Sequence, residues 1–220
     1  MPGLPIVFED ARLLALAKPA GRVVIAGRGL PEEPLSEDAA RHCGGKAFVV
    51  HRIDRESSGL VLFAKDPKTH TELCSLWEER RVKKRYLAAV SGELSGEGEI
   101  DKPLREFGSG RMGVDARGKP SVTRWRCLQA LRGGTLLGVE PVTGRRHQIR
   151  VHLWSLGHPL LGDPYYGKDR PVGGAPRLLL HALALTLPAP FSLELEAPPP
   201  EDFVQEVLAR GGRQPFSWKG

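Results

Sequence analysis

A chain of 220 residues is long enough for one well-buried core, and it reads as a single domain over residues 1–210 followed by a loose tail at 211–220. Its formal charge of +6 favours a polyanionic partner, although charge alone does not make a nucleic-acid binder. Cys43, Cys74 and Cys127 are odd in number, far apart and without ligand spacing, which argues against a disulfide framework or a zinc site. No apolar run approaches the ~20 residues that span a bilayer, and Met1-Pro2-Gly3-Leu4-Pro5 has no charged and apolar leader, so the expectation is a cytoplasmic protein off the membrane.

In chain order, Ile6–Glu9 and Arg12–Ala17 read as short strands, Lys18-Pro19-Ala20-Gly21 as a turn, and Ala26–Pro34 as a loop rich in glycine and proline. Phe48-Val49-Val50 reads as a buried strand, and so does Gly59–Ala64. Between them lies His51-Arg52-Ile53-Asp54-Arg55-Glu56-Ser57-Ser58-Gly59, which sets one carboxylate between two guanidinium groups at a loop. Flanking positive charge favours the ionised form, and an ionised, partly desolvated carboxylate is a usable nucleophile. A strand-end aspartate paired to arginine on the surface is the plainer reading, and the loop by itself leaves both open.

Asp66-Pro67 opens a helix whose apolar face carries Leu73, Leu76 and Trp77 and whose end is basic, Arg80-Arg81-Val82-Lys83-Lys84-Arg85. Tyr86–Ser91 reads as the next strand. Residues 105–120, with Arg105, Arg111, Arg117 and Lys119 among four glycines, read as a flexible loop, either a solvated insertion or an arm for a phosphate backbone. Strands follow near 121–130 and 134–142. A helix from about Arg145 to Leu156 is expected, capped by Thr143 and stopped by Gly157, with Arg146 and Arg150 on one face. Gly157–Gly167 reads as a rigid turn, since it lacks the Lys-Ser/Thr ending of a phosphate loop. Strands near 178–187 and 191–196 and a helix at Glu201–Ala209 complete the domain.

Four strings carry a resemblance: H-R-I-D-R-E-S-S-G at 51–59, T-G-R-R-H-Q-I-R-V-H-L at 143–153, G-H-P-L-L-G-D-P-Y-Y-G at 157–167 and R-L-L-L-H-A at 177–182. With Lys84-Arg85-Tyr86 between them, in this order, they resemble the RluA-type pseudouridine synthases, and the likeness runs from about Leu13 to about Phe203. It implies an α+β fold with a long, mixed, mostly antiparallel sheet, flanking helices and a basic cleft. The implied activity is isomerisation of specific uridines in ribosomal or transfer RNA, with no cofactor and no metal, by a protein expected to be a monomer.

The resemblance assigns the central catalytic role to Asp54, pairing with it to Arg150, and a place against the target base to Tyr86. A planar guanidinium can grip a carboxylate with two parallel hydrogen bonds, and a tyrosine ring can stack on uracil. Taken without the family, a tyrosine at the start of a strand is more often core. Arg52 is the residue implied to fill the gap left by an extruded base, a salt bridge being its plainer role. Arg55, Lys84, Arg145, Arg146, Arg111 and Lys119 are the further candidates for RNA contact. Two departures from the family pattern, Ala17 for an asparagine and Ser57 for a threonine, touch only loop stability, since Ser57 keeps a hydroxyl for local capping.

His51, His147, His152, His158 and His181 with Asp163 invite a metal reading, but no H-E-x-x-H or cysteine pair accompanies them, and they read instead as braces for the motif loops. Two rival functions stand beside the synthase. An inactive RNA-binding or RNA-chaperone protein on the same fold conflicts with an intact Asp54, Tyr86 and Arg150. A hydrolase of a small phosphorylated or glycosidic substrate would need a second carboxylate or a metal beside Asp54.

Overall fold

The computed structural model describes residues 5–27, 32–108 and 110–216; residues 1–4, residues 28–31 of the glycine-rich loop, residue 109 and residues 217–220 of the tail lie outside the described residues. The strands are β1 (Ile6–Glu9), β2 (Leu13–Lys18), β3 (Phe48–Val49), β4 (Ser58–Ala64), β5 (Lys83–Ser91), β6 (Glu97–Asp101), β7 (Leu104–Glu106), β8 (Met112–Val114), β9 (Val122–Leu131), β10 (Gly134–Pro141), β11 (Leu180–Leu187) and β12 (Leu193–Glu196). The helices are α1 (Leu35–His42), α2 (Pro67–Glu78), α3 (Gln148–Ser155) and α4 (Glu201–Ala209). The fold is α+β, with a large, mixed and mostly antiparallel sheet, as the resemblance implied. Its contacts divide the chain into two compact units, one of residues 1–83 with 182–199 and one of residues 84–181 with 200–220.

In the first unit, β4 is the centre. It pairs antiparallel with β2 from Leu13↔Ala64 to Lys18↔Gly59, and β3 lies along it at Phe48↔Ala64 and Val49↔Phe63. All seven of its residues are buried, which is why its sequence runs apolar without alternating. Leu60 and Leu62 share a core with Leu73 and Leu76 of α2 and with Leu185, Leu187 and Leu195 of β11 and β12. α2 begins as its sequence predicts: Asp66 accepts from the Thr69 amide at 2.9 Å and Pro67 takes the first helical position. It ends sooner than its basic run suggests. Arg80 turns into the left-handed region at φ 58°, and Lys83–Arg85 belong to strand β5 rather than to the helix end.

In the second unit, β5, β10, β9 and β6 form an antiparallel series, with Tyr86 opposite Val139 and Gly134 opposite Leu131 at the β9–β10 hairpin. The stretch at 105–120 is not the loop expected of it. β7 and β8 pair from Leu104↔Val114 to Glu106↔Met112, and Met112 is buried beside Leu104, Val151 and Tyr166. The tail, expected to be loose, is tied down where it is described: Arg213 and Gln129 exchange two hydrogen bonds, of 2.7 and 2.8 Å, and Phe216 stands edge-on to Phe203.

Gly59, the first glycine after the Asp54 loop, has φ +119°, and a Cβ there would lie 2.3 Å from the Ala182 carbonyl oxygen. Gly59→Ala is therefore expected to lower the unfolding free energy by about 2–4 kcal/mol, from backbone strain and a clash that only main-chain movement relieves. Urea unfolding checks this: the midpoint falls at unchanged slope, and an unchanged midpoint contradicts it.

Candidate active site

The Asp54 loop is held by main-chain carbonyls gathered around one ammonium group. Lys18, 1% exposed at the end of β2, donates to the carbonyl oxygens of Pro19 at 2.9 Å, Arg22 at 2.7 Å, Arg55 at 3.0 Å and Ser57 at 2.6 Å. The Gly21 amide adds a bond of 2.8 Å to the same Arg55 carbonyl, and the Ser57 amide closes the turn on the Asp54 carbonyl at 3.2 Å. On the other side His51 accepts from the Leu62 amide at 3.0 Å through Nε2 and stacks on Trp77 of α2 at 4.9 Å and 17°. Ile53 is buried next to the half-buried Asp54. The carboxylate thus leaves a backbone fixed before and after it.

Two expectations for this loop change. Arg55 does not clamp Asp54: its Nε bonds the Gly21 carbonyl at 3.2 Å and Glu32 at 3.1 Å, and its guanidinium is ion-paired to Glu32. Ser57 does not cap the loop with its hydroxyl, which is buried without a hydrogen-bond partner among the described residues. Its carbonyl, through Lys18, does the bracing instead. Arg52 is exposed.

In the second unit, Arg150 is wholly buried on α3, and its fork meets Asp163 in two bonds of 2.9 Å, from Nε to Oδ2 and from Nη2 to Oδ1. Asp163 Oδ1 also accepts from the Tyr165 and Tyr166 amides at 2.8 and 3.0 Å, and the guanidinium carbon lies 5.1 and 5.3 Å from the two tyrosine rings. Parallel bonds, a shared amide turn and two aromatic walls fix the orientation of Arg150 and supply the partners a buried charge requires. Within the turn at 157–167, Asp163 is the residue that ties the backbone to Arg150. As the anchor of Arg150 it went unrecognised in the sequence, where its only signal is an aspartate before a proline in a turn.

α3 starts three residues later than predicted, so Arg146 precedes the helix and does not share a helical face with Arg150. Thr143 is not the cap; its hydroxyl bonds Gln148 Oε1 at 2.6 Å and accepts from the Val122 amide at 3.1 Å. His147 takes the cap position at φ 52° and meets the Tyr166 hydroxyl at 2.7 Å. Tyr86 lies on β5, half-buried against the core that includes Val139 and Ile149. Lys84 donates to the Thr143 carbonyl at 3.1 Å, and Arg145 Nε is buried without a hydrogen-bond partner among the described residues. Arg146 is paired to Glu106 at 2.9 Å, while Arg105 and Arg117 sit on Asp115, whose carboxyl Arg117 holds well below the usual carboxylate range. Arg111 and Lys119 are exposed.

The histidines act as braces. His152 uses both ring nitrogens, Nδ1 2.8 Å from the Thr123 hydroxyl and Nε2 3.0 Å from the Lys102 carbonyl, and His158 Nδ1 lies 3.0 Å from the Ser91 carbonyl. A carbonyl only accepts, so Nε2 of His152 carries the proton and Nδ1 accepts from the threonine.

A family model described as RNA pseudouridylate synthase matches residues 12–155. The chain belongs to that family, whose name denotes isomerases acting on RNA. It is 39% identical to the ribosomal large subunit pseudouridine synthase D of Nitrosomonas europaea, over 94% of this chain and 65% of that protein. The protein of the same name from Zymomonas mobilis is 36% identical over 90% of this chain and 70% of its own length. The chain thus spans about two thirds of these relatives. Among solved structures, human RNA pseudouridylate synthase domain containing 4 superposes with a TM-score of 0.80 at 27% identity, covering 96% of this chain and 94% of that one.

Two outcomes are expected. Asp163→Asn leaves the Arg150 charge buried with half its grip, and should cost about 3–5 kcal/mol of unfolding free energy in urea titrations; a loss under about 1 kcal/mol would show that the pair is not a brace. Burial lowers the His152 pKa below its ordinary 6.5, so the unfolded chain binds the proton more readily than the folded one. Its stabilising contribution is whole above about 6.5 and is lost as pH falls from there toward the folded value. His152→Gln should therefore flatten the loss of stability as pH falls below about 6.5, measured by unfolding at several pH values, and parallel curves for the two proteins would rule it out.

Proposed function

We propose that this protein is an RNA pseudouridine synthase that isomerises uridines of ribosomal RNA, with Asp54 as its catalytic carboxylate. The observation that carries the reading is the Lys18 ammonium bonding the carbonyls of Arg55 and Ser57 in the turn that follows a half-buried Asp54, in the string H-R-I-D-R-E-S-S-G on which the resemblance rests. Transfer RNA is the second candidate substrate. The reading includes a monomer working in the cytoplasm without metal or cofactor; among the described residues no helix is long and apolar enough to cross a membrane.

The chemistry is an isomerisation. The N1–C1′ bond of the nucleoside breaks, the uracil turns while held, C5 bonds to C1′, and the proton on C5 leaves while N1 gains one. One carboxylate suffices to attack or to take a proton at the sugar and ring, provided that the detached base is kept in place. Asp54 supplies that group, Arg150 orients charge at the reacting end, and the Tyr86 ring takes the face of the uracil. The target base must first leave its stack, and Arg52, exposed two residues before Asp54, fills the space it leaves. Lys84, Arg145, Arg146, Arg111 and Lys119 meet phosphates, while Arg55 contributes by holding the loop through Glu32.

Tritium release from RNA carrying uridine labelled at C5 tests this directly. Asp54→Asn is expected to reduce release by at least about 10³-fold. It should leave RNA affinity within about tenfold, because one amide changes little of the phosphate contact energy. Release at the normal rate by the variant removes Asp54 from the chemistry, and no release by the unmodified protein from either class of RNA favours an inactive RNA-binding protein.

A further inference from the structure

The second unit holds a groove of about 720 Å³ between the β7–β8 hairpin, α3 and the turn at 163–170. Three aromatic side chains line it while remaining open to water: Phe107 is 43%, Trp154 45% and Tyr165 40% exposed. Clustered exposed aromatics around one concavity are uncommon on a surface with nothing to bind. None of the lining residues is acidic, and two, Arg111 and Arg170, carry guanidinium groups.

The walls are tied together by hydrogen bonds. The Tyr166 hydroxyl accepts from the Met112 amide at 3.1 Å and meets His147 at 2.7 Å, which pins the hairpin to the turn. Tyr165 lies parallel to the His147 ring, 6.1 Å away at 8°, which fixes the plane of its ring beside the groove. Gly113 leaves room for the Phe107 ring, since a Cβ there would be 2.8 Å from it.

We propose that this groove is a second RNA-contact site, which takes unpaired nucleobases of the substrate by stacking on Phe107, Trp154 and Tyr165 while Arg111 and Arg170 meet the adjoining phosphates. It deepens the synthase reading and rests on it for the identity of the polymer. Aromatic faces accept any base, and guanidinium groups supply the salt-sensitive share of the affinity, so the contact is tolerant of sequence. An apolar peptide has no comparable use for two cations on a groove without an acid.

The test uses the whole 220-residue chain and a fluorescently labelled hexa-adenylate RNA, which contains no uridine and so is not a substrate for isomerisation. Binding is followed by anisotropy. Trp154→Ala and Phe107→Ala should each weaken it at least fivefold, Trp154→Phe should keep affinity within twofold, and Arg170→Gln should weaken binding and flatten its salt dependence. Thermal melts identify any variant that fails to fold, in which case the Trp154→Phe and Arg170→Gln results carry the decision. The proposal is overturned if hexa-adenylate does not bind the unmodified protein, or if both alanine variants bind within twofold of it. Tritium release measured alongside separates the two ideas: release with insensitive hexa-adenylate binding sinks the groove alone, and sensitive binding without release sinks the synthase reading alone.

Discussion

The Lys18 ammonium group, almost wholly removed from water, is the constraint on which the Asp54 loop depends. An ion in that position must replace its hydration shell, and it does so with four carbonyl oxygens drawn from both sides of the loop, those of Pro19 and Arg22 before it and of Arg55 and Ser57 within it. The carbonyls need the charge as much as the charge needs them, because a buried backbone acceptor without a donor is itself costly. The result is a turn whose path is set by a group outside it. Gly59 continues the same logic one step along, where the close approach of the Ala182 carbonyl leaves no space for a side chain.

The second unit meets a similar problem with different chemistry. Arg150 is charged and wholly buried, and Asp163 answers it with a carboxylate that is itself oriented by two backbone amides. Around that pair, Tyr166, His147, Gln148 and His152 spend their polar atoms on turns and neighbouring strands. Several side chains that look chemical in the sequence, His147, His152 and His158 among them, prove to be scaffolding. Removing one member of such a network leaves the remaining members with unmet demands, so its residues should vary in sets rather than singly.

How much of this could be read from the chain depended on whether the determining contacts were local. β4 was legible because a strand buried on both faces must be apolar throughout, and α2 because Asp66 and Pro67 announce its start within three residues. α4 was found at its observed limits for a similar reason, an acidic opening followed by Phe203, Val204 and Val207 at helical spacing. α1 leaves no comparable signal: its eight residues bury only Leu35 and Ala39, and no side chain caps it. The β7–β8 hairpin was read as a loop because strands of three residues separated by glycines carry no alternation long enough to see. The start of α3 was misplaced because the hydroxyl of Thr143, which looks like a cap, is claimed by Gln148 and by Val122 across the strand. The family strings point to Asp54, Tyr86 and Arg150, but they give no bracing role to Lys18, which reads as part of a turn within the likeness, or to Asp163, which lies in one of the strings and otherwise invites only a metal reading. Their partners lie up to 39 and 13 residues away, beyond the reach of local pattern.

The most direct test of the account is the single-turnover rate of uridine isomerisation by Lys18→Met, measured on protein shown to be folded at the assay temperature. If the ammonium group sets the position of Asp54, the rate should fall by about 100-fold or more, the usual consequence of misplacing a reacting group by about an ångström, while RNA affinity changes little. A rate within about twofold of the unmodified protein would mean that the loop holds its carboxylate without Lys18, and would contradict the account.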